Sequence, residues 1–97
     1  MADTLSMEGR VTIDNSNEMR QRLATALRPK PAELELDLSR VTYIDISGLA
    51  TLLEATRTAR GQGTRFVLKG IQGQLAYLLE ATHLSSLFDV EPEQQHG

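Results

Sequence analysis

Residues 37–55 read DLSRVTYIDISGLATLLEA, a stretch in which an apolar strand passes directly into an amphipathic helix. Where the stretch begins, residues 34–39 (LELDLS) alternate strictly between leucine and polar residues, which is typical of a strand with one buried face. After Ser47 the apolar residues recur at helical spacing. The predicted apolar stripe of this helix consists of Leu49, Leu52, Leu53, Thr56 and Ala59. We therefore expect a strand, a tight turn and a helix that begins near Ser47 and stops between Gly61 and Gly63, where a left-handed cap forms easily.

A second amphipathic helix is predicted upstream of this stretch. Asn15 and Glu18 have the spacing of a capping box, in which each side chain bonds a backbone N–H at the start of a helix. Met19, Leu23 and Leu27 follow at four-residue intervals. These three side chains form one apolar face, which we expect to pack against the sheet.

The remaining segments continue an alternation of strands and helices. Residues 5–13 alternate between apolar and polar across Gly9 and predict a strand or hairpin. Residues 64–69 (TRFVLK) predict a further strand, and a third helix follows Gly70. The segment 84–90 predicts one short helical turn and a final strand.

The order of these elements predicts an α/β fold. Strands that alternate with helices of this length are joined by right-handed crossovers, so most of the strands lie parallel. We expect a single domain over residues 1–97, with a mixed but mostly parallel sheet of about four strands packed with three to four helices. Its ordered core is expected at residues 5–90, with residues 1–4 and 91–97 as loosely ordered tails.

Composition narrows the classes of function. The chain of 97 residues has no cysteine, which excludes disulfides, thiolate nucleophiles and cysteine-ligated metals within it and favours a reducing compartment. The formal charge is -3 and the basic residues are scattered, so nucleic acid is not an expected partner. The first residues lack the basic and apolar pattern of a signal peptide, and no apolar run is long enough to enter a membrane. We expect a cytoplasmic protein.

The sequence carries no recognisable catalytic signature. It has no phosphate-binding loop ending in Lys-Ser, no G-x-S-x-G elbow and no metalloprotease motif. The two histidines, His83 and His96, have no clustered ligands beside them, so neither a metal nor a cofactor is expected. A triad of Ser47, His83 and Asp45 fails because Asp45 and Ser47 are too close in sequence to flank one imidazole. These observations indicate a non-enzymatic protein.

Ser47 has two interpretations from its position alone. Its hydroxyl is well placed as the N-cap of the following helix, where it would accept a backbone N–H two or three residues on. The same hydroxyl also lies at the carboxyl end of a strand and the positive end of a helix, where ligands of α/β proteins tend to bind. A regulatory role and a plain capping role both fit this spacing.

The sequence resembles the STAS domain family over residues 5–90. Residues 37–55 are similar to the family motif D-L-S-x-V-x-(F/Y)-(I/M)-D-S-S-G-L-G followed by a leucine-rich helix. Residues 61–88 (GQGTRFVLKGIQGQLAYLLEATHLSSLF) resemble the family's glycine turn, strand and closing helical region. In the bacterial anti-sigma factor antagonists of this family, a partner kinase phosphorylates the second serine of the motif. The resemblance places that phosphorylation site on Ser47.

The resemblance also implies a partner-binding surface around Ser47. We expect it to consist of Thr12, Asp14, Asp45, Ile46, Gly48 and Leu49. Unphosphorylated protein would bind a serine kinase that is also an anti-sigma factor and thereby displace the sigma factor, and phosphorylation would end this binding.

Three positions depart from the family pattern. Ile46 replaces the first serine of the motif, and Ala50 replaces a glycine. Thr12 stands where the family has an aspartate of the phosphorylation pocket. Asp14 shares the strand parity of Thr12 and is the candidate to replace it in part, although a turn or capping role also fits its position.

Two further expectations follow from the resemblance. The alternative function is a STAS accessory subunit of a lipid-transport ABC complex or a signalling assembly, in which Ser47 only packs. Binding of a small ligand at the turn has no specific residue in its support.

Most family members have a full strand before the segment at residues 5–13, and its absence here would leave a sheet edge unpaired, so weak self-association is expected.

Overall fold

The computed structural model describes residues 3–90. Strands and helices alternate along this part of the chain. They are β1 (Asp3–Val11), α1 (Ser16–Leu27), β2 (Glu33–Ile44), α2 (Ile46–Gln62), β3 (Arg65–Lys69), α3 (Gly73–Ala81), a short 3-10 helix (Ser85–Leu87) and β4 (Asp89–Val90). None of the described helices is long and apolar enough to cross a membrane.

The four strands form one sheet in the order β1-β2-β3-β4. Each neighbouring pair is parallel, which confirms the predicted α/β class with three α-helices. Because each strand follows its neighbour in the same direction across the sheet, right-handed crossovers place all three helices on one face.

The core lies between this face and the helices. It takes alternate residues of β1, of β3 and of the first half of β2, as the alternation in LELDLS predicts, and then Val41 and Ile44 of β2. The core members include Met7, Val11, Leu36, Ile44, Leu68, Met19, Leu23, Leu27, Leu49, Leu52, Leu75, Leu79 and Phe88. The predicted faces of α1 and α2 are therefore confirmed, except that Leu53 is only partly buried while Thr51 and Ala55 of α2 are buried.

The opposite face of the sheet carries charged side chains. Glu33 pairs with Arg65 at 3.2 Å, and Glu35 pairs with Lys69 at 3.4 Å, in both cases across the β2–β3 boundary. We call this helix-free side of the sheet the open face. Its ion pairs replace the apolar cover that parallel sheets usually have on both faces.

The amino-terminal strand begins earlier than predicted. Asp3 and Thr4, expected in a tail, belong to β1, because they pair with Leu34 and Glu35 of β2. Of the predicted alternatives, a strand or a hairpin, residues 3–11 form the strand. The other predicted tail residues, 1–2 and 91–97, lie outside the described part of the chain.

Of the two predicted helix caps, the one that ends α2 is confirmed and the one that begins α1 is wrong. Gly63 caps α2 in the left-handed conformation, with φ of 80°, as predicted. The capping box at Asn15 and Glu18 is absent, because the Asn15 side chain instead bonds the backbone of Thr12 and Arg10.

Candidate functional site

Asp45 is the structural centre of the turn between β2 and α2. It is the N-cap of α2, and its carboxylate accepts the backbone N–H of Gly48 at 3.1 Å. The other carboxylate oxygen accepts the backbone N–H of Ile13 at 3.0 Å. The Asp45 backbone N–H donates to the carbonyl of Val11 at 3.0 Å. One residue therefore ties the start of α2 to the end of β1 and to the loop after it.

Ser47 is not the N-cap, contrary to the prediction. The helix begins one residue earlier, at Ile46, so Ser47 is the second residue of α2. Its carbonyl accepts the hydroxyl of Thr51 at 3.0 Å, whereas its own hydroxyl makes no hydrogen bond within residues 3–90. Because Asp45 supplies the cap, the partly buried Ser47 hydroxyl remains available for chemistry or for a partner.

Gly48 is required by the close approach of α2 to the strands. A Cβ at this position would lie 2.5 Å from Cγ1 of Ile44 and 2.9 Å from Cγ1 of Val11. Gly48 and Leu49 are both buried, and Leu49 is only 3% exposed. These two residues therefore support the turn from the core side, and their contact with a partner stays a prediction.

The loop at residues 12–15 is held by its own polar groups. The Asn15 carboxamide accepts the Thr12 N–H at 2.8 Å and donates to the carbonyl of Arg10 at 2.8 Å. The Thr12 hydroxyl accepts the Asp14 N–H at 3.2 Å. Since β1 ends at Val11, the strand parity expected to relate Asp14 to Thr12 does not apply. Asp14 is an exposed turn residue beside the site.

Two exposed isoleucines flank Asp45. Ile46 is 66% exposed and follows Asp45 in the chain, and Ile13 is 73% exposed and donates its N–H to the Asp45 carboxylate. Ile46 is a predicted member of the surface, whereas Ile13 is not, because its alternation with Val11 suggests a strand position. We call the exposed and half-exposed residues of this region the switch surface, which consists of Thr12, Ile13, Asp14, Asp45, Ile46 and Ser47.

The switch surface combines apolar and acidic groups at the start of a helix. Among residues 3–90 no group of three or more histidine or acidic side chains is placed to hold a metal ion. Such a mixture of exposed apolar side chains and a free hydroxyl is suited to contact with another protein.

Gln74 of α3 supports this surface, and the sequence did not predict this role. The side-chain amide of Gln74 bonds the backbone of Ile44, the last residue of β2. This contact fixes the strand end from which Asp45 and the turn begin.

Known proteins share both the fold and parts of the sequence. A family model described as "Mlab, STAS domain" matches residues 1–89. The chain is 33% identical over 58 residues to an anti-sigma-B factor antagonist of Listeria monocytogenes, which covers 60% of this chain and 51% of that protein. The chain thus spans about half the length of this curated relative.

Two solved structures have the same fold. An anti-sigma factor antagonist from Mycobacterium paratuberculosis superposes with a TM-score of 0.84 at 19% identity, over 94% of this chain and 77% of that one. A sulfate transporter family protein from Wolinella succinogenes superposes with a TM-score of 0.76 at 21% identity, over 92% and 75% of the two chains. With the predicted motif, the observed parallel sheet and the family model in agreement over most of its length, the chain belongs to the STAS domain family.

Proposed function

We propose that the switch surface binds a serine kinase of the anti-sigma factor class and that phosphorylation of Ser47 ends this binding. The observation that carries the proposal is the Ser47 hydroxyl, which is partly accessible and has no hydrogen-bond partner in the described chain. It lies between the exposed Ile46 and the buried Gly48, two residues after the capping Asp45. The Listeria relative, an anti-sigma-B factor antagonist, supports the same role.

Phosphorylation acts on the interface rather than on the fold. A phosphoserine adds about 1.5 to 2 negative charges. Because Ser47 is the second residue of α2, that charge would lie near the positive end of the helix dipole. The dipole stabilises a negative charge there by about 0.3–1 kcal/mol, so the fold is retained. On the switch surface the same charge adjoins Asp45 and Asp14, so a partner that contacts these groups closely meets concentrated negative charge and loses affinity.

The direct test is to incubate the protein with ATP and the serine kinase encoded nearest to its gene, and to locate phosphate by mass spectrometry. We expect phosphate on Ser47, persistent kinase binding by Ser47→Ala and weakened binding by Ser47→Asp. Ser86→Asp is the matched control, because Ser86 is exposed in the 3-10 helix before β4, at the opposite end of the strands. Phosphate on another residue, or equal affinity of the two Ser47 variants, rejects the proposal.

A second candidate is an accessory subunit of a transport complex, in which the switch surface forms a permanent interface. The exposed Ile13 and Ile46 support it, because apolar side chains are favoured in lasting contacts. ATP distinguishes the two candidates, because a permanent assembly would survive incubation with ATP, whereas kinase binding would end once Ser47 is phosphorylated. A complex that ATP dissociates, and that Ser47→Ala protects from this dissociation, would reject the accessory-subunit candidate.

A further inference from the structure

The outer edge of β1 is unpaired in the described chain. β1 is the first strand in the sheet order, and it pairs only with β2. The strand contains no proline or lysine, although it carries the charges of Glu8 and Arg10 and two register shifts against β2, which lie at Ser6/Glu8 and Gly9/Arg10. It therefore offers a row of backbone donors and acceptors to another strand.

The charges of β1 are self-complementary about Gly9. Glu8 and Arg10 are both exposed and flank this glycine, whereas Met7 and Val11, one residue further out, are both buried. An antiparallel copy of β1 centred on Gly9 places Glu8 opposite Arg10 twice, and Met7 opposite Val11 twice. Exposed residues then meet exposed ones and core residues meet core residues, as neighbouring strands of one sheet require.

Neither charge of this pair is neutralised by another side chain of opposite sign. Glu8 has no ion-pair partner within residues 3–90, and Arg10 lies over the ring of Tyr43 at 4.6 Å, which holds its guanidinium on the open face. Gly9 itself has a φ of 76°, so the strand departs from the regular extended conformation at the centre of the pairing. A Cβ at this position would meet no atom within 4 Å, so another backbone has room to approach.

The helix above this edge carries the same kind of pair. Glu18 and Arg22 of α1 line a crevice of about 180 Å³ with Met7, Glu8 and Val11, on the side of α1 away from α2. Glu18 has no described ion-pair partner, and the described bond of Arg22 is to the Met7 sulfur at 3.3 Å. A two-fold axis at Gly9 brings two antiparallel copies of α1 together so that Glu18 of each lies near Arg22 of the other.

We propose that two copies of this chain associate through antiparallel pairing of β1, centred on Gly9, into one continuous eight-stranded sheet. The partner is a second copy because one two-fold axis satisfies the charge pairs of both β1 and α1. The paired segment is only residues 7–11, so the dimer is weak and forms at high protein concentration. Since the two strands run in opposite directions, the two switch surfaces lie at opposite edges of the dimer and remain free to bind partners.

Disulfide cross-linking can test this pairing, because the sequence has no cysteine and any disulfide must form between introduced cysteines. Glu8→Cys and Arg10→Cys are made as separate proteins, mixed in equal amounts and oxidised gently. The Cα atoms of directly opposite residues in antiparallel strands are about 4.5–5.5 Å apart, within the range of about 4.4–6.8 Å that a disulfide spans. Random pairing in an equal mixture makes the mixed disulfide equal to the sum of the two homodisulfides. We expect the mixed disulfide to exceed that sum several-fold by mass spectrometry. Tyr77→Cys, 72% exposed on α3, is the control for random collisions.

A charge exchange tests the same register without a cross-link. Glu8→Arg or Arg10→Glu alone should raise the dimer Kd by about three- to tenfold, measured by sedimentation equilibrium. The double variant should restore association, because it reverses both charges and keeps them complementary. A wild-type protein that stays monomeric at millimolar concentration, a double variant that does not recover, or a mixed disulfide no more abundant than the control overturns the proposal. Circular dichroism checks that each variant is folded, and kinase binding by the monomeric variants tests the proposed function separately.

Discussion

Gln74 completes the hydrogen bonding of Ile44 in place of a neighbouring strand. The Ile44 N–H donates to the Gln74 carboxamide oxygen at 2.9 Å, and the carboxamide nitrogen donates to the Ile44 carbonyl at 2.9 Å. β3 pairs with β2 only as far as Asp37 and Lys69, so the end of β2 has no strand on that side. The side chain of α3 thus replaces one residue of a strand and holds the end of β2 in place.

We expect Gln74→Ala to lower the free energy of unfolding by about 1–3 kcal/mol, because it leaves a partly buried N–H and carbonyl without partners. Urea denaturation measures the loss. Gln72→Ala is the matched control, since Gln72 is exposed and donates only one bond, to the carbonyl of Ser39. Equal losses for the two variants would mean that the pair of hydrogen bonds to Ile44 has no special weight.

Gly48→Ala should destabilise the protein by about 1–3 kcal/mol, because the added methyl group overlaps Ile44 and Val11. Gly61→Ala tests the same change in the same helix without the overlap. Gly61 is exposed, and a methyl group added there would meet no atom within 4 Å, so alanine should stabilise α2 by about 0.5–1 kcal/mol. We expect the two substitutions to change the free energy of unfolding in opposite directions, measured by thermal or chemical denaturation. If Gly48→Ala also stabilised the protein, helix propensity would outweigh the overlap with Ile44 and Val11.

Periodicity was enough to predict the sheet and helices but not the details of the turn. The leucines of residues 34–39 and the stripe of α2 each follow one repeat, so burial on one face fixes them. Asp45 and Ser47 are both good N-cap residues two positions apart, and only the packing of α2 through Gly48 decides between them. Gln74 has no local pattern that indicates its role, since its partner lies 30 residues away.

Leu52 and Leu53 show how adjacent leucines of a helix divide between core and surface. Leu52 is 0% exposed, whereas Leu53 only packs on the rim of the core. We expect Leu52→Ala to cost about 3–5 kcal/mol and Leu53→Ala about 1–2 kcal/mol. Chemical denaturation of the two variants under identical conditions measures the difference. A larger loss at Leu53 would indicate that α2 is rotated relative to the sheet.

Asp37 makes the stability of the open face depend on pH. The backbone N–H of Ser39, at 2.9 Å, and the Ser39 side chain lower the pKa of the Asp37 carboxyl below 3.8, and Lys69 and Arg40 add to this while partial burial opposes it. A carboxyl with a lowered folded pKa stabilises the protein above its unfolded pKa, and this contribution is lost as the pH falls through the folded value. Between about pH 5 and about pH 3, the unfolding free energy should therefore fall less for Asp37→Asn than for the wild type. An identical fall in both would show that the Ser39 bonds do not favour the charged form.

Ser47 and Asp45 should differ sharply in their effect on stability, because only Asp45 caps α2. Ser47→Ala removes a hydroxyl without a described partner and should change the unfolding free energy by less than about 0.5 kcal/mol. Asp45→Ala removes the acceptor of both Gly48 and Ile13 and should cost about 1–3 kcal/mol. Urea denaturation of the two variants side by side measures both values, and a loss at Ser47 as large as that at Asp45 would contradict the assignment of the cap.

The binding order of the Ser47 variants should not follow their order of stability. Ser47→Asp places a negative charge in the first turn of α2, where the helix favours it, so it should unfold no more easily than Ser47→Ala. Its charge nevertheless lies on the switch surface beside Asp45, so it should bind the partner kinase more weakly than Ser47→Ala. Calorimetric titration of each variant, compared with its denaturation curve, separates the two effects. If affinity instead falls in step with stability, Ser47 acts through the fold, and control by charge at the interface is rejected.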